Sequence, residues 1–124
     1  MCQKSYFLCD LKNDESLIAE YKKHHQNVWP KIIQDIQNQG IANMEIFNFQ
    51  DRLVMVVTPG QKFYDKFGVN AEFSWERSGE LADRDEDTLK VLGEWEDLMD
   101  TFQKRLENSD GIKWVKMEKI FSME

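Results

Sequence analysis

Two side chains able to carry protons, Tyr21 and His25, stand one helical turn apart in the segment Tyr21-Lys22-Lys23-His24-His25-Gln26-Asn27-Val28-Trp29-Pro30. If a helix runs through this region, the pair shares a face with Ile18, Val28, Ile32 and Ile36, all within roughly 80° of arc. A phenol and an imidazole that point where aliphatic side chains point form either a satisfied core network or an acid/base site. A buried imidazole without partners forfeits hydrogen bonds worth about 1–3 kcal/mol, so the stripe implies a polar pocket or an internal acceptor. His24 points roughly 100° away from His25, so the two cannot chelate one metal ion from a regular helix, and His24 is expected to be exposed.

The elements that must position this pair follow from pattern and punctuation. Ser5 to Leu11 reads as a first strand, with Phe7 and Cys9 on one face and Tyr6 and Leu8 on the other. Asn13 and Asp14 are candidate caps for a helix that starts near Glu15 and stops at Gly40, with Trp29-Pro30 marking either a kink or a restart. Met44 to Phe49 and Leu53 to Thr58 form a hairpin around Gln50-Asp51-Arg52. The region from Phe63 to Trp75 is ambiguous, and an acidic connector follows around Ala82 to Asp87. A second helix is expected from about Asp87 to Leu106, its apolar positions Val91, Leu92, Trp95, Leu98, Met99, Phe102 and Leu106 covering roughly 120° of arc. After the turn Asn108-Ser109-Asp110-Gly111, Ile112 to Phe121 reads as the last strand. The order strand, helix, strand, strand, helix, strand is that of an α+β, ferredoxin-like split βαβ fold, an antiparallel sheet with two helices on one face. A second subunit would cover the other face, giving a dimeric α+β barrel, although part of the 59–86 region could do the same.

At 124 residues the chain is long enough for one core, and residues 1–124 are read as a single domain. With 23 acidic and 16 basic residues, the net charge of −7 argues against a nucleic-acid surface, which needs clustered Lys and Arg. The acidic residues concentrate between Glu80 and Asp97, as a solvated helix and its approach loop would require. The apolar runs are too short to cross a membrane, and the N-terminus lacks the regions of a signal peptide. Cys2 and Cys9 would lie roughly 23 Å apart in extended chain, beyond disulfide reach, and are read as free thiols in a reducing cytoplasm.

On several of these segments together, the chain resembles the L-rhamnose mutarotase family, small α+β epimerases acting at the anomeric carbon of a sugar. The resemblance rests on Tyr21-x-x-x-His25, Val28-Trp29-Pro30, Gly40-Ile41 before Met44-Glu45-Ile46-Phe47, and Arg52-Leu53-Val54-Met55-Val56. Glu94-Trp95-Glu96-Asp97-Leu98-Met99, then Phe102-Gln103, and Lys113 to Phe121 complete it. The resemblance implies that His25 is the proton donor and that Tyr21 contacts the sugar. Rhamnose-type members carry a tyrosine where this chain has Met44, and a Trp-Trp pair where it has Trp95-Glu96. Met44, Trp95 and Glu96 thereby become the expected substrate-binding positions, with two contacts altered. The wording around them looks more like members associated with L-fucose, and the stretch from about Gln61 to Leu89 is longer than the family usually has.

Mutarotation removes one proton from the anomeric hydroxyl and delivers one to the ring oxygen, work suited to histidine, whose unperturbed pKa is about 6.5. Ring opening in minutes corresponds to a barrier of roughly 21 kcal/mol, and acid/base assistance typically supplies about 3–5 kcal/mol of it. No cofactor is required, and the sequence has no Gly-rich phosphate loop, CxxC pair or HExxH stretch. A tryptophan at position 95 suits the apolar face and methyl group of a deoxysugar. Trp29 and Trp114 are expected in the core or at a dimer contact, and Glu45 and Glu94 at the surface. The expected partners are a monosaccharide and a second copy of the chain. The competing readings are a small dimeric α+β-barrel monooxygenase or haem-binding protein with His25 on iron, and a non-enzymatic dimer in which Tyr21 and His25 are packing.

Overall fold

Burial alternates along β1 (Ser5–Leu11), with Ser5, Phe7, Cys9 and Leu11 turned inward in the computed structural model, which describes residues 3–123. This is the period of a strand packed on one face only. β2 (Ile41–Phe49) and β3 (Arg52–Pro59) make the expected hairpin, closed by Gln50 at φ 53°. β3 lies antiparallel to β1, placing Met55 opposite Phe7 and Leu53 opposite Cys9. The sheet order is β2-β3-β1-β4, with β4 (Gln103–Lys104) and β5 (Val115–Lys116) both on the outer edge of β1. That is the strand order of a split βαβ fold, with its last strand delivered in two short pieces.

Three expectations need correction, and the choice between kink and restart at Trp29-Pro30 is resolved. The expected last strand, Ile112 to Phe121, pairs only at Val115 and Lys116, opposite Leu8 and Phe7. One more backbone bond, from the Met117 amide to the Tyr6 carbonyl, follows it; β1 begins at Ser5, so little edge remains. The first helix is two, α1 (Glu15–His24) and α2 (Pro30–Asn38). Pro30 starts α2 and holds Trp29 in an extended conformation at ψ 132°, so the chain restarts there. The helix expected to reach Leu106 is α5 (Glu86–Asp100). Its last turn tightens through bonds from Thr101 and Phe102 amides to the Leu98 and Met99 carbonyls, and the Phe102 carbonyl is taken by Lys12. Finally, the ambiguous region folds into α3 (Gln61–Phe67) and α4 (Trp75–Leu81), so the described residues hold five helices where two were expected.

The core lies between the helices and the inner sheet face. Leu11 and Leu53 pack with Tyr21, Ile32, Trp95, Met99 and Phe102, while Phe7, Met55 and Val57 pack with Phe63, Tyr64 and Phe73 from the α3–α4 arm. Gly40 makes the corner between α2 and β2 at φ 80°, and a side chain there would meet Leu81 at 2.9 Å and the Phe63 backbone at 3.2 Å. A buried polar network fastens the arm to α2. Asp35, 3% exposed, receives both Nε and Nη2 of Arg84 at 2.9 and 3.0 Å and the Gln39 amide at 3.0 Å. Ser78 on α4 donates to the Gln39 amide oxygen at 2.7 Å. Most of the acidic stretch is exposed as expected, with Asp85 capping α5 through the Thr88 amide. On the opposite sheet face Tyr6, Phe47 and Phe49 are exposed. Cys9 is a free, buried thiol whose pKa burial pushes up to about 11, and Cys2 falls outside the described residues. Among the described residues no helix is long and apolar enough to cross a membrane.

Candidate active site

A cavity of about 970 Å³ opens between the helices and the inner sheet face, and Tyr21, His25, Met44, Trp95 and Glu96 all line it. The α1 terminus sets the geometry of the first two. His25 caps α1 in a near-helical conformation, φ −81° and ψ −7°, so the spacing of one turn persists although the helix ends. The two rings lie 4.3 Å apart at 36°, and the His25 ring meets Trp95 edge-on at 5.8 Å. His25 Nδ1 stands 2.9 Å from the Tyr21 carbonyl, which also accepts the His25 backbone amide at 3.3 Å where α1 ends. A carbonyl only accepts, so Nδ1 carries the proton in the neutral ring and Nε2 keeps its lone pair.

Burial pushes the His25 pKa below its ordinary 6.5; the bond to the Tyr21 carbonyl opposes this, and His24 adds to it. Below pH 6.5 the unfolded chain therefore takes up a proton that the folded chain still refuses, so this residue's contribution to stability is complete above 6.5 and is lost as pH falls toward the folded value. We expect His25→Gln to flatten that part of the dependence. Urea denaturation of both proteins at about pH 7.5 and about pH 5.5 measures it, and equal changes in the two would show that the folded state does not disfavour the charged imidazole.

Tyr21 is 3% exposed, and burial raises its phenol to about 12 against the opposing pull of a hydrogen bond from Gln103. The phenol thus keeps its proton throughout the neutral range. Trp95, 9% exposed on α5, is wedged between His25 and Trp29, the latter at 5.0 Å. Met44 sits on β2 opposite Val57, half-buried, with its side chain over the inner sheet face. Glu96 is a rim residue: its carboxylate accepts from Lys113 Nζ at 2.7 Å, and Lys113 also binds Asp100. The Lys113 side chain is 13% exposed. Burial pulls its pKa down, but the two carboxylates outweigh burial and raise it.

His24 departs from its expected exposure. It is half-buried with its ring 5.5 Å from Phe102, because Phe102 at the end of α5 packs against both Tyr21 and His24. It does not line the cavity. Sequence reasoning missed Gln103, Lys113 and Asp35 as cavity-lining groups, and placed Trp114 in the core or at a dimer contact although it also faces the cavity. Asp35 carried a readable signal, since it falls at the edge of the apolar stripe, about 20° of arc beyond Val28, where a carboxylate that becomes buried demands a partner. The arrangement offers one free imidazole nitrogen, one protonated phenol and an aromatic wall, with each lining carboxylate already bound to a cation.

A family model described as L-rhamnose mutarotase matches residues 4–123. An L-fucose mutarotase of Xanthomonas campestris pv. campestris is 36% identical over 124 residues, 98% of this chain and 88% of that protein. A UPF0734 protein of Dictyostelium discoideum is 30% identical over 119 residues, 93% of this chain and 85% of that one. The crystal structure of an L-rhamnose mutarotase from Formosa agariphila superposes with a TM-score of 0.61, covering 98% and 99% of the two chains at 17% identity, a likeness of fold.

Proposed function

Since the chain belongs to the L-rhamnose mutarotase family of sugar isomerases, we propose that it interconverts the α and β anomers of a 6-deoxy-L-sugar by proton transfer through His25. The observation that carries this reading is the adjoining Tyr21–His25 ring pair in the cavity, with Nδ1 committed to a carbonyl and Nε2 free. A neutral imidazole takes the proton of the anomeric hydroxyl, the ring C–O bond breaks, and the resulting imidazolium returns a proton to the ring oxygen. Rotation about the bond to the aldehyde carbon presents its other face, and the same steps in reverse close the ring as the opposite anomer. A pKa below the usual value keeps the base unprotonated at neutral pH. Tyr21 holds the sugar through its hydroxyl, and Trp95 provides the flat apolar wall for its C–H face and methyl group. Met44 and Glu96 border the ring hydroxyls, and no cofactor is needed.

L-Fucose is the preferred sugar on this reading. Met44 and Glu96 stand where rhamnose-type relatives present aromatics, and a site matched to one hydroxyl orientation rejects the other by several kcal/mol. Saturation-transfer proton NMR between anomers decides the matter. We expect faster exchange for L-fucose than for L-rhamnose; the opposite order would overturn the preference, and no enzyme-dependent exchange with any 6-deoxy-L-sugar would overturn the function.

The working form is a homodimer joined through the open sheet face, where Tyr6, Phe47 and Phe49 are 41%, 55% and 74% exposed. Stable interfaces remove roughly 800 Å² per partner, about what one face of a small sheet offers. Light scattering should give twice the 14.8 kDa chain mass, and Phe47→Lys with Phe49→Lys should return it to one. The buried free thiol of Cys9 fits a reducing cytoplasm.

A further inference from the structure

Gln103 is 7% exposed and lines the cavity beside Tyr21. β4 pairs it with Leu11, so its side chain enters the same inner face as the strand's core residues. Its amide nitrogen donates to the Tyr21 hydroxyl oxygen at 3.3 Å, while its amide oxygen is buried without a hydrogen-bond partner among the described residues. Native interiors leave few such atoms, and each asks for a reason. Turning the amide over would let its oxygen accept from the phenol O–H, but the NH2 group, with two donors, would then take the orphaned place. Unmet donors are rarer in buried positions than under-satisfied carbonyl oxygens, so the observed orientation is the one burial prefers.

That orientation fixes the polarity of the phenol. A hydroxyl has one proton to give and lone pairs to receive. With Gln103 occupying a lone pair, the Tyr21 proton is not spent on the protein and is available to the cavity. We infer that Gln103 is a positioning residue that makes Tyr21 a hydrogen-bond donor to a sugar oxygen. The inference rests on the mutarotase reading of the same site. It also gives the two ring systems complementary parts, His25 Nε2 accepting and the Tyr21 hydroxyl donating.

Two near-isosteric variants separate positioning from packing. Gln103→Glu places an ionised, acceptor-only carboxylate against the phenol, so the Tyr21 proton turns away from the sugar. Gln103→Met removes the partner but leaves that proton free. We expect Gln103→Glu to lower kcat/KM for anomer exchange about 10–100-fold, and Gln103→Met about 3–10-fold. In a Tyr21→Phe background neither should have much further effect, because the phenol through which they act is gone. Thermal melts report folding of each variant, and Gln103→Met carries the test should the carboxylate prevent folding. Exchange by Gln103→Glu equal to or better than Gln103→Met, or losses that multiply in full with Tyr21→Phe, would overturn the inference and leave the mutarotase reading intact. A wild-type protein that exchanges no sugar overturns both.

Discussion

His25→Ala will lower anomer exchange by about 10²–10⁴-fold, the usual contribution of a positioned acid/base group, while the circular dichroism spectrum stays native. The ring is half-buried beside an open cavity, so its removal leaves space that water can enter and does not empty the core. His24→Ala is the control. Its ring rests on Phe102 and does not line the cavity, so exchange should hardly change. Equal losses of exchange in the two variants, both natively folded, would remove His25 from the mechanism.

The largest change in stability should come from a residue with no part in the proton transfer. Arg84→Ala strips the bidentate partner from Asp35, which is 3% exposed and keeps only the Gln39 amide. Breaking a buried pair from one side typically costs about 3–5 kcal/mol, because the remaining charge loses its compensation. Urea denaturation measures it. Lys31→Ala breaks the exposed bridge to Asp87 and should leave the midpoint nearly unchanged. A loss below about 1 kcal/mol for Arg84→Ala would mean that the network does not hold the α3–α4 arm to α2.

The order of the elements was legible because each one carries a period or a stop signal. β1 alternates, the 44–58 hairpin has its turn residues, and the α5 face repeats at helical spacing through Met99. What escaped was how elements end. Phe102 continues the apolar spacing of α5, so the helix pattern ran on past the place where the chain turns into β4. That one overrun hid Gln103, which on a continued helix would lie at the edge of the apolar face, where a glutamine is ordinary, but on β4 enters the inner face. The 61–85 segment was opaque for another reason. Its two helices have seven residues each, too short to show a period, and they are held by tertiary contacts through Phe63, Phe73, Ser78 and Arg84. The site pair itself was visible as four-residue spacing, and the break at Pro30 did not disturb it because His25 stays near-helical as the cap.

The bond from His25 Nδ1 to the Tyr21 carbonyl makes the imidazole a one-ended instrument. Proton wires use histidine as a through-connection, in at one nitrogen and out at the other, and that traffic is closed where the second nitrogen is tied to a backbone oxygen that has no proton to give. In the mechanism proposed above, Nε2 then serves both as sink and as source within a turnover. An anomeric centre permits it, since the hydroxyl that loses a proton and the ring oxygen that gains one hang on the same carbon. On the proposed mechanism the site works as a swivel, in which the sugar shifts its bonds past a fixed nitrogen.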